Sequence, residues 1–152
     1  MKRFLLAAAA SLIAFGASAN CTIDANFTGD FGKIFKAHDG WGFKNYDEVC
    51  AKLAKANAKL QITSMSGVLS NHSFGWVVVQ LRDASSKLII PDYGSLNTQM
   101  HTYASQDKAQ ELVWDALNAA VESWDDLDQA IAVLNDVRAQ NKAGTSKVPA
   151  KK

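Results

Sequence analysis

The sequence predicts an α+β fold made of an N-terminal helix, a three-stranded antiparallel meander and two C-terminal helices packed on the sheet. Three observations lead there. Apolar residues recur at helical spacing from Tyr46 to Leu60 and again from Ser105 to Val137, and between these stretches the period shortens to that of strands. Polar turn chemistry, notably Asp83-Ala84-Ser85-Ser86, separates the strand-like runs. Finally, about 130 residues remain once the first 19 are set aside, with 48% hydrophobic content overall, enough for one domain with a real core.

Met1 to Ala19 has the form of an export signal. Lys2 and Arg3 supply the positive start, Phe4 to Gly16 a short apolar run, and Ala17-Ser18-Ala19 a small-residue cleavage site before Asn20. The run is shorter than the roughly 18 residues of a spanning helix, so no membrane span is expected. Asn20 and Ser18 before Cys21 do not suit lipid anchoring. The expected address is the periplasm or another secreted location, with a bacterial origin favoured by the short Ala-rich leader; in a eukaryotic route Asn26-Phe27-Thr28 and Asn71-His72-Ser73 would accept glycans.

The only two cysteines, Cys21 and Cys50, both lie in the exported part, and an even count in an oxidising compartment predicts a disulfide between them. Charge divides along the chain. Asn20 to Val137 holds nine basic residues against 15 acids, whereas Arg138, Lys142, Lys147, Lys151 and Lys152 face no acid. The expected organisation is a leader (1–19), one globular domain (20–140) and a disordered basic tail (141–152).

The first helix is expected over Tyr46 to Leu60, opened by the capping-box spacing of Asn45 and Glu48, with Tyr46, Val49, Leu53, Ala56 and Leu60 on its apolar face. Three strands follow. Gln61 to Leu69 is mixed; Ser73 to Arg82 is apolar on both faces and is expected to be covered on both, with Trp76 in the core; Lys87 to Ile90 is expected to end at Pro91, which cannot donate to a ladder. Ser105 caps the next helix, which buries Ala109, Leu112, Val113, Ala116, Leu117, Ala120 and Trp124. Ser123 and Asp126 are expected to restart a cap, before a last helix that buries Leu127, Ile131, Leu134 and Val137.

Four constellations bear on function. Cys50, His72 and Asp92 fall in the order of a thiol hydrolase triad, as nucleophile, base and orienter. The run Asn71-His72-Ser73-Phe74-Gly75-Trp76-Val77 to Asp92 resembles the His-strand and Asp-strand segment of transglutaminase-like and related cysteine peptidase families over about 40 residues. The resemblance implies hydrolysis of peptide or cell-wall bonds. Against it, Cys50 lies inside a helix behind Asp47 and Glu48, where a thiolate is disfavoured, and a disulfide would remove it.

The second constellation, Asp24, Asn26, Thr28 and Asp30 with Gly29, has the oxygen spacing of a calcium loop, although Phe35 stands where the closing Glu belongs. The third, His38, His72 and His101, shows no metal-ligand spacing. The fourth is aromatic: Phe31, Phe35, Trp41, Phe43 and Tyr46 among glycines. There the Asp39 to Phe43 loop either folds into the core or presents Trp41 and Phe43 to a partner. An acidic face of Asp107, Glu111, Asp115 and Glu122, continued by Asp125, Asp126 and Asp128, could steer a basic partner.

With no basic stripe and no phosphate loop, nucleic acid is not an expected partner and no cofactor is expected. The expected function is therefore exported and non-catalytic, an inhibitor, an immunity-like protein or an accessory subunit that binds another exported protein or a small ligand. The cysteine hydrolase is the alternative.

Overall fold

A computed structural model describes residues 21–28 and 31–145. In chain order its elements are β1 (Ala25–Phe27), α1 (Phe31–Ala37), α2 (Tyr46–Lys55), β2 (Ala58–Leu69), β3 (His72–Asp83), β4 (Ile89–His101), α3 (Gln106–Glu122) and α4 (Leu127–Thr145). The class is α+β, with one four-stranded sheet in the order β1-β2-β3-β4. The expected meander is there as β2, β3 and β4, each antiparallel to the next. The fourth strand, three residues long, adds parallel to the edge of β2, pairing Ala25 with Leu60 and Phe27 with Ile62.

Alternation along β3 organises the core. Ser73, Gly75, Val77, Val79, Leu81 and Asp83 are all buried, and every residue between them is only half-buried. The buried face carries α3. An added Cβ on Gly75 would stand 2.3 Å from the backbone nitrogen of Val113, so the helix lies directly on the strand where the side chain is missing. Leu60, Ile62, Val77, Val79, Leu81, Leu117 and Leu134 are fully buried between sheet and helices. The other face of the sheet has no helix on it. The expectation that β3 is covered on both sides is therefore corrected: Trp76 is half-buried on an open face, because both C-terminal helices pack on the same side.

Helix α2 ends five residues before the expected Leu60. Asn57 takes a left-handed conformation (φ +48°), which stops the helix and turns the chain into β2, and Leu60 continues the apolar pattern as a strand residue. Asn45 precedes the helix, but its side chain makes no capping bond, and its Oδ1 is buried without a hydrogen-bond partner. Ser105 does cap α3, its side chain accepting from the Lys108 amide at 3.1 Å. Ser73 anchors the same corner: its buried hydroxyl accepts from the Ser105 amide at 2.9 Å and reaches the Tyr103 carbonyl at 2.8 Å. The expected buried face of α3 is observed in full. Ser123 does not restart a cap; its hydroxyl donates back to the Ala119 carbonyl at 2.7 Å.

Pro91 does not end β4. The register jumps from Val79 opposite Ser95 to Leu81 opposite Ile90, so Pro91 to Gly94 bulge out opposite Gln80. A bulge on an edge strand needs no ladder donor from proline. Tyr93 takes φ +62° there, and its carbonyl accepts from the Trp124 indole at 2.7 Å, tying the bulge to the turn between α3 and α4.

In α4, Leu127, Ala130 and Leu134 are buried and Ile131 and Val137 flank them. The helix passes Gln140 and runs to Thr145, and Arg138, grouped with the tail in the sequence, is bound to the body of the fold. The leader and the residues from 146 onward lie outside the described residues.

Candidate functional site

Cys50 sits in α2, 1% exposed, and is joined to Cys21 with a Cα–Cα distance of 6.0 Å. The Tyr46 hydroxyl reinforces the link. It accepts from the Ile23 amide at 3.3 Å and donates to the Cys21 carbonyl at 3.0 Å, so a bond and a phenol hold the same segment against one helix. His72 lies elsewhere, at the hairpin between β2 and β3, with Nδ1 2.7 Å from Asn71 Oδ1. Asp92 is exposed in the β4 bulge opposite Gln80. Eight residues of β3 separate the two levels, roughly 26 Å at strand rise. The triad of Cys50, His72 and Asp92 is thus not assembled. Cystine formation withdraws the nucleophile, and the sheet holds the base and orienter near opposite ends of one strand.

Of the residues in the calcium reading, Asp24, Asn26 and Thr28 are described. Asp24, Asn26 and Thr28 follow an extended segment at the sheet edge, where side chains two apart point in parallel instead of converging on an ion. Each described pairing is already structural: the Asp24 carboxylate meets Lys59 Nζ at 2.9 Å, and the Thr28 hydroxyl donates to the Ile62 carbonyl at 3.2 Å. Asp30 and Gly29 lie outside the described residues. Among the described residues no group of three or more His, Cys, Asp or Glu is placed to hold a metal ion.

The aromatic loop is built on α1 and docked on α3. After α1 the chain reverses through Asp39 (φ +56°) and Gly40 (φ +103°), with the Gly40 amide donating to the Phe35 carbonyl at 3.2 Å. Trp114 and Asn118 of α3 then fix it. The Trp114 indole donates to the Gly40 carbonyl at 3.0 Å, and the Gly42 amide donates to Asn118 Oδ1 at 2.7 Å. A Cβ at Gly42 would come within 2.5 Å of the Trp114 ring, so only glycine admits this approach. His38 stacks on the same indole, with ring centroids 4.5 Å apart.

Phe43 points inward and is 5% exposed, so it belongs to the core and cannot serve as a contact. Trp41 is half-buried, set edge-on to Phe35 (4.8 Å) and Phe43 (5.6 Å). It forms one wall of a shallow cleft of about 450 Å³, shared with Ile23, Phe35, Asp39 and Tyr46.

The acidic face is less one-signed than the sequence implies. Lysines meet it: Lys44 from the aromatic loop approaches Glu122 at 3.5 Å, Lys52 of α2 approaches Asp128 at 3.0 Å, and Lys108 of α3 itself pairs with Glu111 at 2.9 Å. Asp115 is half-buried, and its pKa is raised, first by loss of water and then by the neighbouring Glu111 charge. Asp115 and Glu122 are thus poor steering charges, the one desolvated and the other partnered. No helix among the described residues is long and apolar enough to cross a membrane.

Sequence reasoning missed β1 and α1, and with them two features of the packing. Arg138 joins α4 to the ends of α2 and β3, which charge counting along the tail could not reveal. The open face of the sheet did leave a signal in the doubly apolar pattern of Ser73 to Arg82, which was read as burial on both sides.

No family model and no curated protein matches this chain. Among solved structures, the chain is similar to a protein of Caulobacter crescentus CB15 provisionally named a lipoprotein, at 17% identity over 84% of this chain and 93% of that one, with a TM-score of 0.29.

Proposed function

We propose that this is an exported, non-catalytic binding protein of the periplasm, which receives part of another exported protein or a small ligand in the cleft at Trp41. An inhibitor, immunity-like or accessory role fits this description. The observation that carries the reading is the Trp41 wall. Its backbone is fixed to α3 at Gly40 and Gly42, its ring is braced by two phenyl groups, and one side of it lines an aromatic cleft with a carboxylate, Asp39, beside it. A preorganised, half-exposed tryptophan binds with little ordering cost. The cystine supports an oxidising compartment, in agreement with the export signal.

Two measurements test this. The protein isolated from an exported fraction should have the intact mass of a chain starting at Asn20 with no free thiol; free thiols in that fraction would overturn the compartment. Mature protein immobilised at its C-terminus should retain a partner from the same fraction, and Trp41→Ala should lose it while Trp41→Phe keeps part. Equal retention by the wild type and Trp41→Ala would remove the cleft as the binding site.

A further inference from the structure

The polar groups around the Trp41 cleft are mostly spent on the chain itself, and the exception is a carboxylate. The Tyr46 hydroxyl is engaged by the Ile23 amide and the Cys21 carbonyl, and the Gly40 carbonyl by the Trp114 indole. What Tyr46 offers a ligand is therefore its ring. Asp39 is the one charged residue in the lining. It is exposed, it forms no ion pair among the described residues, and its backbone is held at φ +56° with its amide donating to the Lys36 carbonyl at 3.3 Å.

We propose that the cleft takes an arginine side chain carried on a segment of another exported protein; this rests on the binding role proposed above and names the group that is bound. Charge complementarity calls for a cation, and the surroundings select among cations. A guanidinium is planar and weakly hydrated, so it stacks on an aromatic face while its edge donates two parallel hydrogen bonds to a carboxylate. Both parts are present. The rings of Trp41 and Phe35 stand at 70° with centroids 4.8 Å apart, forming a corner, with Tyr46 and the Asp39 carboxylate on the same cleft. A lysine ammonium is compact and strongly hydrated, and a shallow cleft does not strip its water. A quaternary ammonium has no N–H for Asp39 and depends on rings that enclose it.

Two observations favour an arginine within a peptide over a free guanidinium compound. Among the described residues the Trp41 indole has no acceptor, whereas the indoles of Trp114 and Trp124 bond the Gly40 and Tyr93 carbonyls. A guanidinium has no acceptor to give it, but a main-chain carbonyl beside the arginine does. The cleft, at about 450 Å³, also has room for the alkyl stem and adjoining main chain as well as the charged head. Long-range charge agrees: over 20–137 the chain holds nine basic residues against 15 acids, a field that draws a basic segment in.

NMR titration of the mature, oxidised, isotope-labelled chain tests the proposal, read at the Trp41 indole signal, which Trp41→Phe identifies by its loss. The probes are N-acetylargininamide, its uncharged citrulline counterpart, N-acetyllysinamide and choline. Argininamide should move the signal saturably, and each of the other three should bind about fivefold more weakly or worse, the size of an exposed but well-placed ion pair. Asp39→Asn removes the charge and keeps a residue suited to the left-handed backbone, so the fold is retained. It should raise the argininamide dissociation constant about fivefold and leave that of the citrulline compound unchanged. Equal affinity for argininamide and the citrulline compound overturns the proposal, as do tighter binding of choline or lysinamide, an unmoved signal, or indifference to Asp39→Asn. Failure of the binding role itself is read in the retention experiment above. A partner held through Trp41 but neither released by argininamide nor lost with Asp39→Asn removes the arginine and leaves the cleft; retention that ignores Trp41 removes both.

Discussion

The Arg138 guanidinium closes on the Asp83 carboxylate, with Nε donating to Oδ1 at 3.1 Å, at the point where α4, the end of β3 and the end of α2 converge. The same guanidinium donates to the Ala56 and Asn57 carbonyls at 2.7 Å each, satisfying the terminus of α2 just where Asn57 turns the chain. Asp83 is buried at 6% exposure and also accepts from the Ser86 hydroxyl at 2.6 Å. One ion pair therefore ties three elements together.

Removing either partner leaves the other desolvated, so Asp83→Asn and Arg138→Ala should each cost about 2 kcal/mol in denaturant unfolding at pH 7. The pH dependence has a definite sign. The Ser86 hydroxyl, followed by Arg138, holds the Asp83 pKa below its ordinary value. Its contribution is therefore complete above the unfolded pKa of about 4 and is lost as pH falls through the lower folded value. The stability gap between the wild type and Asp83→Asn should be widest at neutral pH and close on acidification; a gap that stays constant with pH would mean that the carboxylate charge is not what matters.

Two glycine substitutions should behave oppositely. Gly75→Ala drives a methyl group into the backbone of α3 at Leu112 and Val113, neither of which can yield without shifting the helix. It should cost about 3 kcal/mol or more. Gly32 in α1 has no atom within 4 Å of an added Cβ, so Gly32→Ala should gain about 0.5 to 1 kcal/mol from helix propensity. Thermal melts of the two variants against the wild type check both.

How far the fold could be read from sequence follows from these contacts. The α3 face from Ala109 to Trp124 was legible because burial there obeys one helical period, and the Cys21 to Cys50 bond because the sequence holds just two cysteines. Leu60 was misplaced because it lies four residues beyond Ala56 and so prolongs the helical pattern; only the left-handed Asn57 breaks it. The three-residue β1 is too short for periodicity to register. Arg138 looked like part of a basic tail because its partners, Asp83 and Ala56, are distant in sequence. The triad failed for the same reason: chain order places Cys50, His72 and Asp92 in sequence, whereas register separates His72 from Asp92 along one strand.

The cystine closes a loop across a sequence separation of 29. Chain entropy assigns such a loop about 3 to 4 kcal/mol. Replacing both cysteines with alanine should lower stability by that amount and release the segment from Cys21 to Ile23 that Tyr46 also holds. Tyr46→Phe, which deletes only the two phenol hydrogen bonds, should cost about 1 kcal/mol. Hydrogen exchange at Ile23 should quicken in both variants. If exchange there is unchanged in the cysteine-free variant, the disulfide is not what fixes the N-terminal segment.

Asp115 should respond to pH in the sense opposite to Asp83. It is half-buried on α3, and loss of water, with the nearby Glu111 charge, raises its pKa above the ordinary value. A raised carboxylate pKa means that ionisation disfavours the folded state: the penalty is absent below the unfolded pKa and grows as pH rises through the folded one. Asp115→Asn removes the charge while keeping the shape. It should therefore stabilise the protein at pH 7, by a few tenths of a kcal/mol given its partial exposure, and make no difference near pH 3. Denaturant midpoints at the two pH values decide it. A loss of stability at pH 7 would show that the Asp115 carboxylate is engaged by a favourable partner, and would return it to the list of charges able to meet a basic surface.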